Sequence, residues 1–457
     1  MSTDTRTTRH HDPTAAPSTP RRRGETTVIA ASLATGATTA LVLTTVIFGG
    51  ATESVITGAA LVAFGVGWAL LAVLSERLTT QPQRWAAVPA VTMTPAGLAL
   101  LAFTPGDAAM TSLSWVWPPV VLGLTVWISV RVRRSLTGRG RLVLAPVLAA
   151  LAVASLGATY ENVALLRDRD AYAAPGRLFE VNGHRLHLDC RGHGGPTVVL
   201  ANGLGEISAS WTRITDEVED STRVCAYDRA GQGWSEDAEN PQDGVAAARD
   251  LHALLAAAGE PGPYVLAGHS TGGTYTLTYA AQHPEQVAGV VLLDSSSPHQ
   301  LTAIPSFAGE YAVTRRVVAL LPSLGRLGAG RLLAAAAGSH LPTPAADQVT
   351  AMTATAHAAR NLRDEQSVIL DVFEQARALT TLHGRPLAVV TASEQLETPG
   401  WGAAQDRFEA LSTNRVHRVA DSTHAGLLED ERGAAESVRA ITDVVSAVRR
   451  GSQLDDR

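Results

Sequence analysis

The 457-residue chain has no lysine; all 37 of its basic side chains are arginine, a compositional bias rather than a functional sign. Cysteine is nearly absent, with only Cys190 and Cys225. No Cys/His spacing of the zinc-finger kind and no G-x-x-x-x-G-K loop occurs, so neither a structural zinc site nor a phosphate cradle is expected. The sequence asks for no cofactor and no metal. Basic charge is also missing where nucleic acid would need it. Residues 161–457 carry 25 arginines against 37 acidic residues, whereas residues 1–160 carry 12 against 6. An acidic second half does not offer the basic face that phosphate binding requires, so nucleic acid is excluded as a partner.

The first part of the chain has long apolar runs of about 20 residues, the length that crosses a bilayer. Five are expected: Thr27–Gly49, Ser54–Leu74, Trp85–Phe103, Ser112–Val130 and Leu142–Tyr160. Pro89, Pro95, Pro118 and Pro119 interrupt the third and fourth, which membrane helices tolerate when neighbours re-satisfy the backbone. Residues 1–26 are polar and read as disordered. A cleaved signal peptide fits poorly, because the first apolar run is too long and further spans follow it.

Arginine placement orients this module. Arg21–Arg23, then Arg77 and Arg84, then Arg131, Arg133, Arg134, Arg139 and Arg141 fall in alternate connections, while 50–53 and 104–111 contain no arginine. The positive-inside rule makes the arginine-bearing face cytoplasmic. With five spans, everything after Tyr160 emerges on the outer side. No charge lies mid-span, which speaks against an ion path or a transporter and for simple anchoring in membrane lipid.

After a linker at 161–176, strands and helices alternate, the pattern of an α/β sheet. Strands are expected at Arg177–Asn182 and His184–Asp189 about an Asn182-Gly183 hairpin turn, then at Thr197–Ala201, Arg223–Tyr227, Tyr264–Gly268, Val287–Leu293, Pro386–Thr391 and Arg415–Val419. Helices are expected at Gly244–Ala258 and Val438–Val448. Ser270 occupies the centre of Gly268-His269-Ser270-Thr271-Gly272, between an apolar strand and a helix start. A serine on such a sharp turn has its hydroxyl exposed, and the small glycines allow the tight backbone.

Three segments in this order resemble the α/β-hydrolase superfamily, most closely its actinobacterial-type serine hydrolases: the V-x-L-x-x-G-L-G loop, Cys225-x-Tyr227-Asp228-Arg229-Ala230-Gly231-x-Gly233-Trp234-Ser235, and the G-H-S-x-G-G elbow. The resemblance covers roughly residues 177–450. It implies a mostly parallel eight-stranded sheet with helices on both faces, preceded here by an all-α transmembrane bundle, and a helical cap inserted at about 295–384. It also implies the chain order Ser, acid, His. Ser270 is then the nucleophile and His424, in the loop after the last strand, the base; His383 and His417 fit that place less well. For the acid, Asp294 at the end of the Val287–Leu293 strand is favoured, with Glu394 the alternative and Glu397 a third candidate. Asp228 is expected to shape the site rim. The oxyanion hole would use the backbone amides of Thr271 and Leu204, although Asn202-Gly203 stands where many relatives have His-Gly. A serine nucleophile argues against the carboxylate chemistry of haloalkane dehalogenases and epoxide hydrolases.

The strands carrying Cys190 and Cys225 are neighbours in the family's sheet, so a bridge between them and two buried thiols both remain open. The cap stretch Arg315–Leu321 reads either as an ordinary amphipathic helix, which is favoured, or as a segment facing the bilayer. The expectation is a membrane-anchored serine esterase acting on a small-molecule or lipid-like ester outside the cytoplasmic membrane. The alternative is a ligand sensor with slow or no turnover, coupled to the membrane module.

Overall fold

The computed structural model describes residues 24–136 and 139–454. Most of the polar segment expected at 1–26, with Arg21–Arg23, lies outside these residues.

The apolar part forms α1 (Glu25–Val42, continued by a π turn to Ile47), α2 (Glu53–Leu78), α3 (Ala87–Phe103), α4 (Asp107–Leu113), α5 (Trp117–Ser135) and α6 (Gly140–Ala171). Four of these segments are long and apolar enough to cross a membrane: 25–47, 53–78, 84–103 and 140–171. The single span expected at Ser112–Val130 is instead the bent pair α4 and α5, with a 41° change of direction. Pro118 and Pro119 lack the N–H groups that would bond back to the preceding turn, so the helix restarts there. Pro95 is carried inside α3 without a break. The linker expected at 161–176 is another correction, because α6 continues through it to Ala171. At 1.5 Å per residue, its 32 residues reach about 48 Å, beyond a hydrocarbon core of about 30 Å.

The helices run up and down between two ends. At one, Gln83, Trp85 and Ser135 hydrogen-bond to one another at 2.6–3.1 Å, next to the arginine-bearing connections. At the other lie the starts of α2 and α4 and residue Asn162, whose amide donates to Ser114 O at 2.6 Å. The remainder of the protein contacts this second end.

Eight strands follow: β1 (Arg177–Val181), β2 (His184–Arg191), β3 (Val198–Ala201), β4 (Val224–Tyr227), β5 (Tyr264–His269), β6 (Val287–Leu293), β7 (Leu387–Ala392) and β8 (Arg415–Ala420). They form one sheet in the order β1-β2-β4-β3-β5-β6-β7-β8. β2 is antiparallel to both neighbours and the rest are parallel. The Asn182-Gly183 turn joins β1 to β2 with both residues at positive φ, as a type I′ hairpin requires. Central strands β3, β4, β5 and β7 are buried at every position, so they read as apolar runs rather than alternations.

Helices α7 (Thr212–Val218), α8 (Gly244–Ala258) and α9 (Thr271–Gln282) connect the first strands. The cap between β6 and β7 holds α10 (Gln300–Ala303), α11 (Phe307–Val318), α12 (Leu321–Gly325), α13 (Ala329–Ala337), α14 (Ala345–Thr353) and α15 (Ala356–Ala376). α16 (Trp401–Asp406), α17 (Gly426–Glu429) and α18 (Glu431–Arg450) complete the chain. The last is longer than the expected Val438–Val448; it buries Ala440, Ile441, Val444 and Val445 against the sheet. Cys190 and Cys225 face each other across β2 and β4 and are joined as a disulfide, which resolves the pairing left open by the sequence.

Candidate active site

β5 delivers Ser270 to its turn. Ser270 has φ 53° and ψ −126°, outside the regions where serine is comfortable, and α9 starts at the next residue. The flanking glycines are needed for space. A Cβ on Gly268 would lie 2.5 Å from Gly273 N, and one on Gly272 would lie 2.1 Å from Ala201 O. Such strain persists only where the surrounding packing over-determines it, as at functional sites.

Asp294 follows β6 at positive φ and is wholly buried. Its Oδ2 lies 2.5 Å from His424 Nδ1. Its Oδ1 accepts from Trp401 Nε1 at 2.8 Å and from Ala392 N at 3.3 Å. The carboxylate is thus held on both oxygens and favours the imidazole tautomer with the proton on Nδ1, leaving Nε2 outside this contact. Glu394 does something different: its Oε2 accepts the backbone N–H of His424 at 3.0 Å. Glu397 is exposed at the end of the same turn. His417 bonds Thr391 across β7 and β8, and His383 lies ahead of β7. Ser270 Oγ is not hydrogen-bonded to His424 among the described residues.

Thr271 is the first residue of α9, where helix N–H groups have no partner within the helix. Leu204 lies in the loop after β3 that packs against Ser270; a Cβ on Gly203 would stand 2.9 Å from Ser270 Cβ. The buried Asn202 supports this loop. Its Nδ2 donates to Tyr227 O at 3.0 Å and Gln232 Oε1 at 3.1 Å, and its Oδ1 accepts from Trp211 Nε1 at 2.9 Å. Asp228 is wholly buried; it accepts from Ser208 N at 2.6 Å and Trp234 N at 3.2 Å and pairs with His187 at 2.8 Å.

Two polar pairs were not anticipated. The Arg229 guanidinium is buried, lies 4.1 Å over the Tyr275 ring and donates to Asn202 O at 2.5 Å. It also meets Glu365 of α15 at 2.7 Å, tying the cap to the loop that carries Leu204. The second pair is His269 and Glu206. His269 Nδ1 lies 2.5 Å from Glu206 Oε1, and its Nε2 donates to His424 O at 3.0 Å. Glu206 Oε2 accepts from Gly203 N at 2.5 Å. Burial opposes charge on His269, but the Glu206 carboxylate outweighs it and raises the pKa. Burial likewise opposes the Glu206 charge, and His269 with Gly203 N–H outweighs it and lowers that pKa. The pair links the loop after β3, the residue before Ser270 and the His424 loop. Its only sequence signal is one ionisable residue inside the elbow motif, His269, and another directly after the loop motif, Glu206.

Comparison with known proteins agrees with this architecture. A family described as alpha/beta hydrolase fold matches residues 196–323. The region after the apolar helices has the α/β-hydrolase fold. An uncharacterised protein of Schizosaccharomyces pombe is 32% identical over 172 residues, 31% of this chain and 32% of that one. Lipase LipV of Mycobacterium tuberculosis is 38% identical over 110 residues, 24% of this α/β-hydrolase and 41% of the lipase. The crystal structure of a variant of the protein aCif shares the fold, with a TM-score of 0.52 at 16% identity, covering 63% of this chain and 96% of that one. This α/β-hydrolase spans from about a fifth to half of the length of the first curated relatives it matches.

Proposed function

We propose that this α/β-hydrolase is a membrane-anchored serine esterase whose catalytic unit, residues 177–450, is held outside the cytoplasmic membrane by the module at 27–160. One observation carries the chemistry: a buried Asp294 holds His424 in a single tautomer beside a serine on a strained strand-to-helix turn. In the proposed reaction His424 Nε2 takes the Ser270 proton as Oγ attacks the ester carbonyl. The amides of Thr271 and Leu204 receive the oxyanion, and His424 returns the proton to the leaving alkoxide as the ester C–O bond breaks. Water, activated by His424, then releases the acid from Ser270. Asp294 is the acid of the triad in this reading, and Glu394 positions the histidine's main chain.

The substrate is a carboxylic ester, of lipid-like character because the catalytic unit sits against the apolar helices. Three features support the outward orientation. The arginine-bearing connections gather at the end remote from the hydrolase unit. The unit itself contacts the opposite end. The Cys190–Cys225 bridge suits an oxidising compartment. Hydrolysis of short-chain p-nitrophenyl esters by the full chain in detergent tests the chemistry. Turnover abolished in Ser270→Ala and retained in Glu394→Gln supports it; turnover unaffected by Ser270→Ala refutes it.

A further inference from the structure

The cap is fixed to the helix ends of the bundle on the side where the hydrolase unit sits. The corner between α12 and α13 enters among the outer ends of the helices. Gly157 of α6 makes room for it: a Cβ there would lie 2.3 Å from Leu327 O, and one on Gly328 would lie 2.9 Å from Gly157 O. Ser323 Oγ meets Thr57 Oγ1 at 2.7 Å. Thr57 lies about one helical turn inside the outer end of α2, and Gly157 about one turn before Glu161, the first charged residue of the outer part of α6.

Charged groups then fix the depth. Arg326, buried, bonds Glu53, the first residue of α2, and Asp107, the first of α4, the latter at 2.8 Å. Arg331 of α13 bonds Glu161 at 2.5 Å and Asp168 at 2.8 Å along the outer extension of α6. Arg315 of α11 donates to Gly49 O at 3.3 Å, in the turn between the first two spans. An ion cluster at the helix ends with an apolar corner beneath it places α11–α13 at the interface.

Beyond these contacts the same helices leave large apolar side chains uncovered. Leu332 is 76% exposed, Leu333 63%, Val313 59% and Val317 51%. Val313 and Val317 lie on α11, which contacts the end of the first span, where Val46 and Ile47 are also uncovered. In water, such a patch carries a free-energy cost of about 25 cal/mol per Å². Continuous with the lipid-facing belt, it has a partner already.

We propose that Phe307–Ala337 is a re-entrant segment whose apolar face, Val313, Val317, Leu332 and Leu333, is embedded in the acyl chains of the outer leaflet. This inference rests on the spanning and outward reading of the bundle, and not on serine chemistry. The cap is then a fixed shelf in the membrane, one end of which, α15, lies over the oxyanion loop through Glu365.

Spin labels on single cysteines test it, introduced by Leu332→Cys, Val317→Cys, Leu98→Cys and Val419→Cys in the full chain with the native disulfide intact, reconstituted in phosphatidylcholine–phosphatidylglycerol vesicles. The readout is relaxation by oxygen against relaxation by a water-soluble nickel chelate. Leu98 lies on the exposed face of α3 and Val419 on the exposed surface of β8. The proposal expects the oxygen-to-nickel ratio at 332 and 317 to match that at 98 and to exceed that at 419 several-fold. Ratios at 332 and 317 equal to 419, with 98 lipid-like, overturn the inference and leave the spanning helices standing. A water-like ratio at 98 as well overturns the spanning reading and this inference with it.

Discussion

Replacing Glu365 by glutamine removes one charge from the cap and leaves Arg229 facing a neutral partner. Glu365 Oε1 accepts from Arg229 Nε at 3.1 Å, Arg229 Nη2 at 2.7 Å and Gln232 Nε2 at 3.0 Å. Both partners are almost wholly buried, at 3% and 6% exposure, so water does not compensate. Burial opposes the Arg229 charge and Glu365 favours it, but a guanidinium is not deprotonated inside a protein, so it stays charged in the variant. Two charge-assisted bonds become ordinary ones, at about 1 kcal/mol each. The new amide NH₂ falls where Glu365 Oε2 has no hydrogen-bond partner, which adds about 1–2 kcal/mol. The expected loss of about 3 kcal/mol lowers the unfolding midpoint of the hydrolase unit by roughly 4–8 °C.

Arg229 also holds Asn202 O, so the Leu204 amide loses part of its alignment. Complete loss of one oxyanion donor costs about 10²–10³ in rate. Partial misalignment is expected to lower kcat about tenfold, some 1.4 kcal/mol, with KM little changed. The assay is thermal unfolding followed by tryptophan fluorescence, beside p-nitrophenyl ester turnover. Glu409→Gln, which touches only the exposed pair with Arg415 and the nearby His417, is the control and is expected to change stability by less than about 1 kcal/mol. A Glu365→Gln protein with wild-type midpoint and wild-type kcat refutes the reasoning.

Asp294→Asn is expected to lower kcat about 10⁴-fold by presenting the wrong tautomer to His424, whereas Glu394→Gln costs under tenfold; steady-state kinetics of both variants decides which carboxylate serves. The Glu206–His269 pair gives a pH signature. Glu206, lowered from 4.5, adds stability above that value and loses it as pH falls through its folded pKa. His269, raised from 6.5, adds stability below that value and loses it as pH rises through its folded pKa. The stability gap between wild type and Glu206→Gln is therefore greatest between pH 4.5 and 6.5 and narrows on both sides, as unfolding midpoints across pH will show. Reducing the Cys190–Cys225 bridge, which closes a 35-residue separation, is expected to cost about 4 kcal/mol, read from denaturant midpoints with and without reductant.

The strands and the elbow were legible because their signals are local. Runs such as Val287–Leu293 are apolar throughout and bounded by turn residues, and the Gly268–Gly272 motif names its own backbone geometry. The departures have physical causes that are not local. α6 outlasts its apolar stretch because the segment 161–171 keeps strong helix formers and finds a partner in Arg331, 170 residues away for Glu161. The fourth span breaks at two prolines whose position within the bundle sequence does not specify. Glu206 and His269 are 63 residues apart, and Arg229 and Glu365 are 136 apart. Polar pairs of that separation leave no periodic trace. Asp294 and Glu394 are likewise not told apart by sequence, since both follow buried strands; in the structure both reach His424, one at the ring and the other at the backbone.

An activated serine on the outer side of the membrane is the central claim. Intact cells expressing the full chain can be treated with a membrane-impermeant fluorophosphonate probe, with Ser270→Ala as the comparison. Labelling of the wild type that vanishes in Ser270→Ala is the predicted result. Equal labelling of wild type and variant, or labelling of neither once folded expression is confirmed, contradicts the serine assignment. Labelling that appears only after lysis contradicts the outward orientation.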